Sequence, residues 1–208
     1  TFLDNHVQTT LGGYYNDYQN LQQPITDPVT GGGGVTNVGK SKIQGVEASI
    51  NAKFSDWAFD AALNYNKTSL GNVSLIAGYR LPGSLPGNTP QCVGTNTTGC
   101  FNYVPYITNL SGGENPFSPK VTLNAGVGYT IPAGSGSFMP RVNYTHVDKQ
   151  YASLFQTDGY FLMRARNLLN ANVSYENGPW HGDLYMTNIT NQLYESAYSG
   201  NYVYYGSP

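Results

Sequence analysis

Three histidines, His6, His146 and His181, are the residues best suited to acid–base or metal chemistry, and none has a neighbour at a spacing such as His-x3-His. The Asp and Glu residues are scattered, without a marked pair for general acid–base work. No Gly-x-Ser-x-Gly elbow occurs, and the glycine run at Gly31–Gly34 lacks the Gly-Lys-Ser/Thr end of a phosphate-binding loop. Cys92 and Cys100 are the only cysteines and lie in a stretch rich in Gly, Thr, Asn and Pro. With no His or third Cys nearby for a metal, they predict a disulfide that closes a short polar loop, and an oxidising compartment. Asn-x-Ser/Thr triplets begin at Asn66, Asn72, Asn96, Asn109, Asn143, Asn172 and Asn188. A chain this rich in Asn, Ser and Thr forms them by chance, and they are not read as glycan sites. The expectation is a protein that is not an enzyme and carries no metal or cofactor.

Composition narrows the class. Charged residues make up 11% of the 208 residues, against roughly 25% in an ordinary soluble domain. Eighteen Tyr and 25 Gly stand in their place, with abundant Asn, Ser and Thr. The net charge of −2 and the lack of a basic stripe exclude a nucleic-acid partner. No apolar run approaches the ~20 residues of a membrane helix. No signal-peptide pattern opens the chain, which begins within a strand-like alternation and stops at Gly206-Ser207-Pro208. Both ends are expected to be cut from something longer.

The elements are strands. In GVEASINAKFSDWAFDAALNYN, from Gly45 to Asn66, Val46, Ala48, Ile50, Ala52 and Phe54 alternate with Glu47, Ser49, Asn51 and Lys53. The pattern restarts after Ser55-Asp56 with Trp57, Phe59, Ala61, Leu63 and Tyr65. Period-two alternation marks a strand with two unlike faces. Seven such segments are predicted: His6–Tyr18, Gly45–Phe54, Trp57–Asn66, Lys120–Ile131, Phe138–Val147, Leu168–Glu176 and Trp180–Asn188. No helix is predicted; Met163–Leu169 holds good helix formers, but alternation runs on into Tyr175. Short connections (Ser55-Asp56, Pro132–Ser137, Asn177–Pro179) alternate with long ones, about 19–40, 67–119, 148–167 and 189–208. Short turns therefore gather at one end of an antiparallel up-and-down sheet, and long loops at the other.

A soluble sandwich would alternate in the same way. Three features favour lipid on the apolar face. That face is rich in small residues (Ala48, Ala52, Ala61, Ala125, Ala171) that fill a sandwich core poorly. Phe54, Trp57, Phe59, Phe138, Tyr175 and Trp180 flank the short turns, and Tyr15, Tyr65 and Tyr144 lie toward the long loops, forming two aromatic girdles. Short turns opposite long loops match the periplasmic and external ends of outer-membrane barrels. Pro140 lacks a ladder donor but lies close to a short turn, where the loss is easier to tolerate.

TTLGGYYNDYQNLQ (Thr9–Gln22), SKIQGVEASINAKFSDWAFDAALNYN (Ser41–Asn66), SPKVTLNAGVGYTIP (Ser118–Pro132) and NLLNANVSYENGPWHGDLYMTNITNQLY (Asn167–Tyr194) resemble, in this order, consecutive strands of a TonB-dependent outer-membrane receptor. Gly45-Val46-Glu47 opens a strand as in that family, Ser118-Pro119-Lys120 resembles its return from a long outer loop, and Asn188–Asn191 resembles its Asn-Leu-Thr-Asp element. The resemblance implies an all-β antiparallel transmembrane barrel of about 22 strands, of which residues 1–208 supply roughly strands 15 to 21. It implies a location in the bacterial outer membrane, surrounded by outer-membrane lipid. It also implies import of a ferric siderophore or similar bulky nutrient, energised by the TonB complex through a plug. No plug, TonB box or final strand is seen in these residues. Ligand contacts implied for such a receptor fall on the long loops: Tyr79, Arg80, Tyr103, Tyr106, Tyr151, Phe155 and Tyr160. Aromatic faces and an arginine suit a flat anionic chelate. The Cys92–Cys100 pair would stiffen the loop tip and lower the entropy lost on binding. Two other functions fit the sequence: a passive outer-membrane pore, and a soluble extracellular glycan-binding β-sandwich.

Overall fold

The structure, a computed structural model, describes residues 2–27, 33–156, 159–199 and 202–206. Gly31 and Gly32 of the glycine run, Thr1 and the last two residues lie outside them. The strands in chain order are β1 (Val7–Tyr18), β2 (Gln22–Thr26), β3 (Gly33–Asn37), β4 (Ser41–Phe54), β5 (Trp57–Leu70), β6 (Ser74–Ile76), β7 (Ile107–Asn109) and β8 (Val121–Tyr129). They continue as β9 (Ile131–Ala133), β10 (Gly136–Val147), β11 (Gln150–Tyr151), β12 (Leu162–Met163), β13 (Arg166–Asn177), β14 (Trp180–Met186), β15 (Tyr194–Ser199) and β16 (Tyr202–Gly206). No α-helix occurs among the described residues; two 3-10 turns, Gly78–Arg80 and Val104–Tyr106, interrupt the longest loop.

The main sheet runs β1-β4-β5-β8-β10-β13-β14, with β9 paired to β10. Each long strand pairs antiparallel with its neighbours in this order. The architecture is therefore an antiparallel up-and-down sheet, as the alternation predicted. Tight turns at one end supply the connections: Ser55 takes a left-handed φ of 50°, and Gly134 and Gly178 take φ of 61° and 56°. A side chain at either glycine would be strained there. The second short connection is tighter than the predicted Pro132–Ser137, because β9 zips Ile131, Pro132 and Ala133 onto Phe138, Ser137 and Gly136. Pro140 pairs with Val173 on one side. On the other side it falls between the β9 register, which ends at Phe138, and the β8 register, which begins at Arg141. Its missing N–H thus coincides with a gap in the ladder.

The register aligns like with like. Across neighbouring strands one row reads Leu11, Ala48, Leu63, Leu123 before it reaches the polar His146 and Asn167, and the next, after Thr9, reads Ile50, Ala61, Ala125, Tyr144, Leu169. A third reads Val7, Ala52, Phe59, Val127, Val142, Ala171, Met186. Nothing covers this face among the described residues: Ile50 is 42% exposed, Leu63 44% and Val142 42%. The two-layer sandwich is excluded, since its apolar rows would lie buried beneath a second sheet. The buried hydrophobic cluster, Val38, Leu70, Leu110 and Leu154, sits instead at the long-loop end.

β4 and β5 run 14 residues each, beyond the 9–11 or so that cross a bilayer. Their extra residues, Ser41–Gln44 and Lys67–Leu70, continue the pairing into the loop end. The predicted strands stopped short because the alternation inverts here: Ile43 and Leu70 fall on the parity that is polar below, and Lys42, Gln44, Lys67 and Ser69 on the parity that is apolar below. The loops also hold four small hairpins (β2–β3, β6–β7, β11–β12, β15–β16), too short to give a periodic signal.

Candidate functional site

At the loop end, Val38, Leu70, Leu110 and Leu154 tie three long loops together, with Leu21, Ile25, Val73, Leu75 and Phe155 packed against them. Backbone bonds reinforce the knot: Val38 N–H donates to Leu21 O (2.8 Å), Leu70 N–H to Gly113 O (2.8 Å) and Gly112 N–H to Leu70 O (2.9 Å). Buried side chains add to it. Ser41 Oγ donates to Asn115 Oδ1 at 3.0 Å, and Asn115 N–H donates to Thr68 Oγ1 at 2.8 Å. Gln156 joins the next loop by accepting from Glu114 N–H at 2.9 Å and donating to Glu114 O. The result is a platform with its own core, standing above the strands.

On this platform stands a group of aromatic rings. Tyr79, held in the 3-10 turn after Ala77, stacks on Tyr160 with centroids 5.5 Å apart and planes 13° apart. Its ring also meets Phe155 at 5.7 Å and Phe161 at 5.4 Å, both edge to face. Phe161 continues to Tyr160 at 4.8 Å and to Tyr198 at 6.2 Å. Three of the residues named from the sequence (Tyr79, Phe155, Tyr160) are thus gathered from two loops into one cluster. Arg80 follows Tyr79, is exposed, and forms no ion pair among the described residues. Phe161 and Tyr198 were missed. Phe161 adjoins Tyr160 in the sequence, whereas Tyr198 comes from the β15 hairpin, which nothing in the sequence placed here.

The remaining predicted residues stand apart from this cluster. Tyr103 is 2% exposed, its hydroxyl donates to Thr89 O at 2.9 Å and its N–H to Gln91 Oε1 at 2.9 Å. Its place is structural, inside the long loop. Phe101 packs on Tyr103 at 5.0 Å and on Tyr106 at 5.5 Å. Cys92 and Cys100 are bonded, with Cα atoms 5.0 Å apart, beside this second group. Tyr151 lies in β11, where its carbonyl accepts from Phe117 N–H at 2.8 Å.

Two arginines at the loop end have partners. Arg164, itself exposed, holds the buried Glu195 through Nε at 3.0 Å, and its N–H donates to the other carboxylate oxygen at 3.1 Å. Arg166 lies over the Tyr194 ring at 5.3 Å, a cation–π contact. Tyr198 donates to Leu162 O at 3.1 Å. Burial, then the charge of Glu195, pushes its phenol above the usual range.

At the short-turn end stand the aromatic residues read as a girdle. Trp57 packs on Phe59 at 5.8 Å and on Tyr129 at 4.7 Å, Phe138 packs on Tyr175 at 4.6 Å, and Phe54 stacks on His6 at 5.8 Å. Trp180 is exposed on the edge strand β14. The opposite, polar face carries an ion pair between Arg141 and Asp60, with Arg141 Nε donating to Asn143 Oδ1 at 2.8 Å. Gly126 lies between Asp60 and Asn143 in register. A Cβ there would collide with the Arg141 guanidinium and come within 2.9 Å of Asn143 Oδ1. Gly126→Val should displace Arg141 and cost about 1–3 kcal/mol, read as a lower urea midpoint of the folded barrel. Gly128→Ala, whose Cβ meets nothing nearer than 3.6 Å, should change the midpoint little.

No group of three or more His, Cys, Asp or Glu residues suited to a metal ion occurs among the described residues.

The family model described as TonB dependent receptor-like, beta-barrel, matches residues 1–191. No curated protein matches the chain in sequence. Among solved structures, the ferric yersiniabactin uptake receptor FyuA of Yersinia pestis aligns with a TM-score of 0.65 at 15% identity, covering 98% of this chain and 26% of that one. The siderophore receptor PiuA of Acinetobacter baumannii aligns at 0.63 and 20% identity, covering 99% and 25%. BauA, the ferric preacinetobactin receptor of the same organism, aligns at 0.60 and 14% identity, covering 98% and 26%. The chain thus spans about a quarter of the length of each, and at these identities the likeness shows a shared fold.

Proposed function

The chain belongs to the TonB-dependent receptor β-barrel family, and on that premise we propose that it forms one wall of an outer-membrane receptor that imports a ferric siderophore. The apolar rows face the hydrocarbon of the outer membrane. The polar face, with Arg141, Asp60 and Asn143, lines the wet interior. The long loops stand outside the cell, and the short turns face the periplasm. TonB supplies energy through a plug that lies elsewhere in the complete receptor.

One observation carries this reading: continuous apolar rows stay uncovered while the buried core lies in the loops above them. A water-soluble protein would place its core the other way round. The aromatic cluster supports the choice of ligand class. Tyr79, Phe155, Tyr160 and Phe161 offer ring faces and edges beside the exposed Arg80. A flat catecholate- or phenolate-type chelate with negative charge suits that surface.

The test is uptake of radioactive ferric siderophores by cells that express the complete receptor. Uptake should require TonB. Tyr79→Ala, which removes the ring that joins the cluster, should weaken binding of the transported chelate about tenfold or more. Iron uptake that continues without TonB would point instead to a passive pore. Unchanged affinity in Tyr79→Ala would remove the cluster from the ligand site.

A further inference from the structure

We propose that Arg164, held by the buried Glu195, takes a carboxylate of the ligand whose ring packs on the Tyr79 cluster, so that the chelate recognised here carries a carboxylate arm beside its aromatic group. This deepens the siderophore reading and rests on it. The cleft concerned has a volume of about 280 Å³ and is lined by Arg164, Gln192, Tyr194, Glu195 and Tyr205, with Ala165 and Leu193. It lies between the residues before β13 and the β15–β16 hairpin.

The ion pair in this cleft is lopsided. The Glu195 side chain is 6% exposed and that of Arg164 79%. A buried carboxylate is costly unless its oxygens are bonded. Here both are bonded, and both to Arg164: one oxygen accepts from Nε at 3.0 Å, the other from the backbone N–H at 3.1 Å. These two bonds fix the inner edge of the guanidinium. Its terminal amino groups form no hydrogen bond among the described residues. A free surface arginine samples many rotamers; this one is set in place before a ligand arrives, so less freedom is lost on binding. Its open end offers the parallel N–H donors that match a carboxylate. Outside the lining, Arg166 stands over Tyr194, and Asp148 and Lys149, which follow the register partner Val147 of Arg166, offset one another.

β15 joins this arginine to the aromatic cluster. Glu195 stands opposite Tyr205 and Tyr198 opposite Val203, so they are two positions apart on β16 although three apart on β15. The extra residue is Ser196, whose hydroxyl donates to Tyr204 O at 3.2 Å. Such a bulge restores the phase of the strand, so Glu195 and Tyr198 share one face of the hairpin, about 7 Å apart. Without it they would point to opposite faces. Tyr198 meets Phe161 of the cluster, and Glu195 holds Arg164. A ring packed on Tyr79 and Phe161 therefore has a guanidinium within reach of a short side arm.

The test titrates the complete receptor in detergent with two ferric chelates of equal size, those of dihydroxybenzoylglycine and of its carboxamide. The acid should bind about tenfold more tightly than the carboxamide. The double variant Arg164→Gln/Glu195→Gln, which leaves no orphaned buried charge, should bind both with the affinity of the carboxamide. Arg164→Lys, which keeps the charge and loses the fork, should retain about a threefold preference. Arg80→Gln should weaken both chelates alike. Equal affinity for the two chelates in the unsubstituted receptor would overturn the inference and leave the siderophore reading standing. A double variant that weakens both chelates in proportion would do the same, since the ion pair would then only tie down the hairpin. A receptor that binds neither chelate would overturn the inference together with the reading of the ring cluster as a chelate site.

Discussion

Arginine in place of Ala125 is expected to destabilise the membrane-inserted barrel by about 2–4 kcal/mol, whereas arginine at Ala62 should cost less than about 1 kcal/mol. The two alanines differ by parity alone. Ala125 stands in the row Ile50, Ala61, Ala125, Tyr144, Leu169. Its partner Ala61 lies midway between Trp57 and Tyr65 on β5, hence near the middle of the bilayer. A guanidinium there has no anion within its row, and it is too deep to reach either interface easily. Ala62 pairs with Ser49 and Asn124, on the face with Asp60, and an arginine there remains in water. Urea unfolding from phosphatidylcholine vesicles would measure both. Equal destabilisation by the two substitutions would mean that the faces are not distinguished by solvent.

Leu154→Ala is expected to cost about 2–5 kcal/mol in the loop platform while leaving the barrel folded. Leu154 is 4% exposed and packs in a cluster with Val38, Leu70 and Leu110. Val38, Leu110 and Leu154 come from three long loops and Leu70 from the end of β5, so a cavity at this point weakens the knot that holds all of them. Of the long strands only β5 reaches the cluster, through its last residue Leu70, and the apolar residues of β8 and β10 are not part of it. Two readouts should therefore separate. Amide exchange and protease cleavage should rise in residues 67–119 and 148–163, and the urea midpoint of the sheet should hold. Ligand affinity should fall too, because Phe155 adjoins Leu154 and carries one edge of the Tyr79 cluster. A single cooperative loss of loops and sheet together would show that the platform is not a separate folding unit.

The sheet was legible in the sequence because membrane strands need two unlike faces in strict alternation. Ala61, Leu63 and Tyr65 against Asp60, Ala62 and Asn64 are enough to set parity, partner and turn. Legibility ended where that constraint ended. Ser41–Gln44 and Lys67–Leu70 remain in strands, yet Ile43 and Leu70 fall on the parity that is polar below them, so the alternation does not carry on. The loop platform was invisible for another reason. Its core combines Val38, Leu70, Leu110 and Leu154, far apart in the chain, and no local period links them. Tyr79, Phe155 and Tyr160 were named singly as loop aromatics, and their meeting depends on that core. Tyr103 illustrates the converse: the family resemblance implied a ligand contact there, and the structure buries it beside Thr89 and Gln91 in the loop interior.

The claim beneath all of this is that alternate residues of β5 meet hydrocarbon and water in turn. Nitroxide labels placed one at a time at residues 60 to 64 of the complete receptor in lipid vesicles would test it most directly. Collision with oxygen, which concentrates in lipid, should peak at 61 and 63. Collision with a water-soluble nickel chelate should peak at 60, 62 and 64, so that the two profiles run in opposite phase. Profiles in phase, or labels at 61 and 63 shielded from both reagents, would contradict the account.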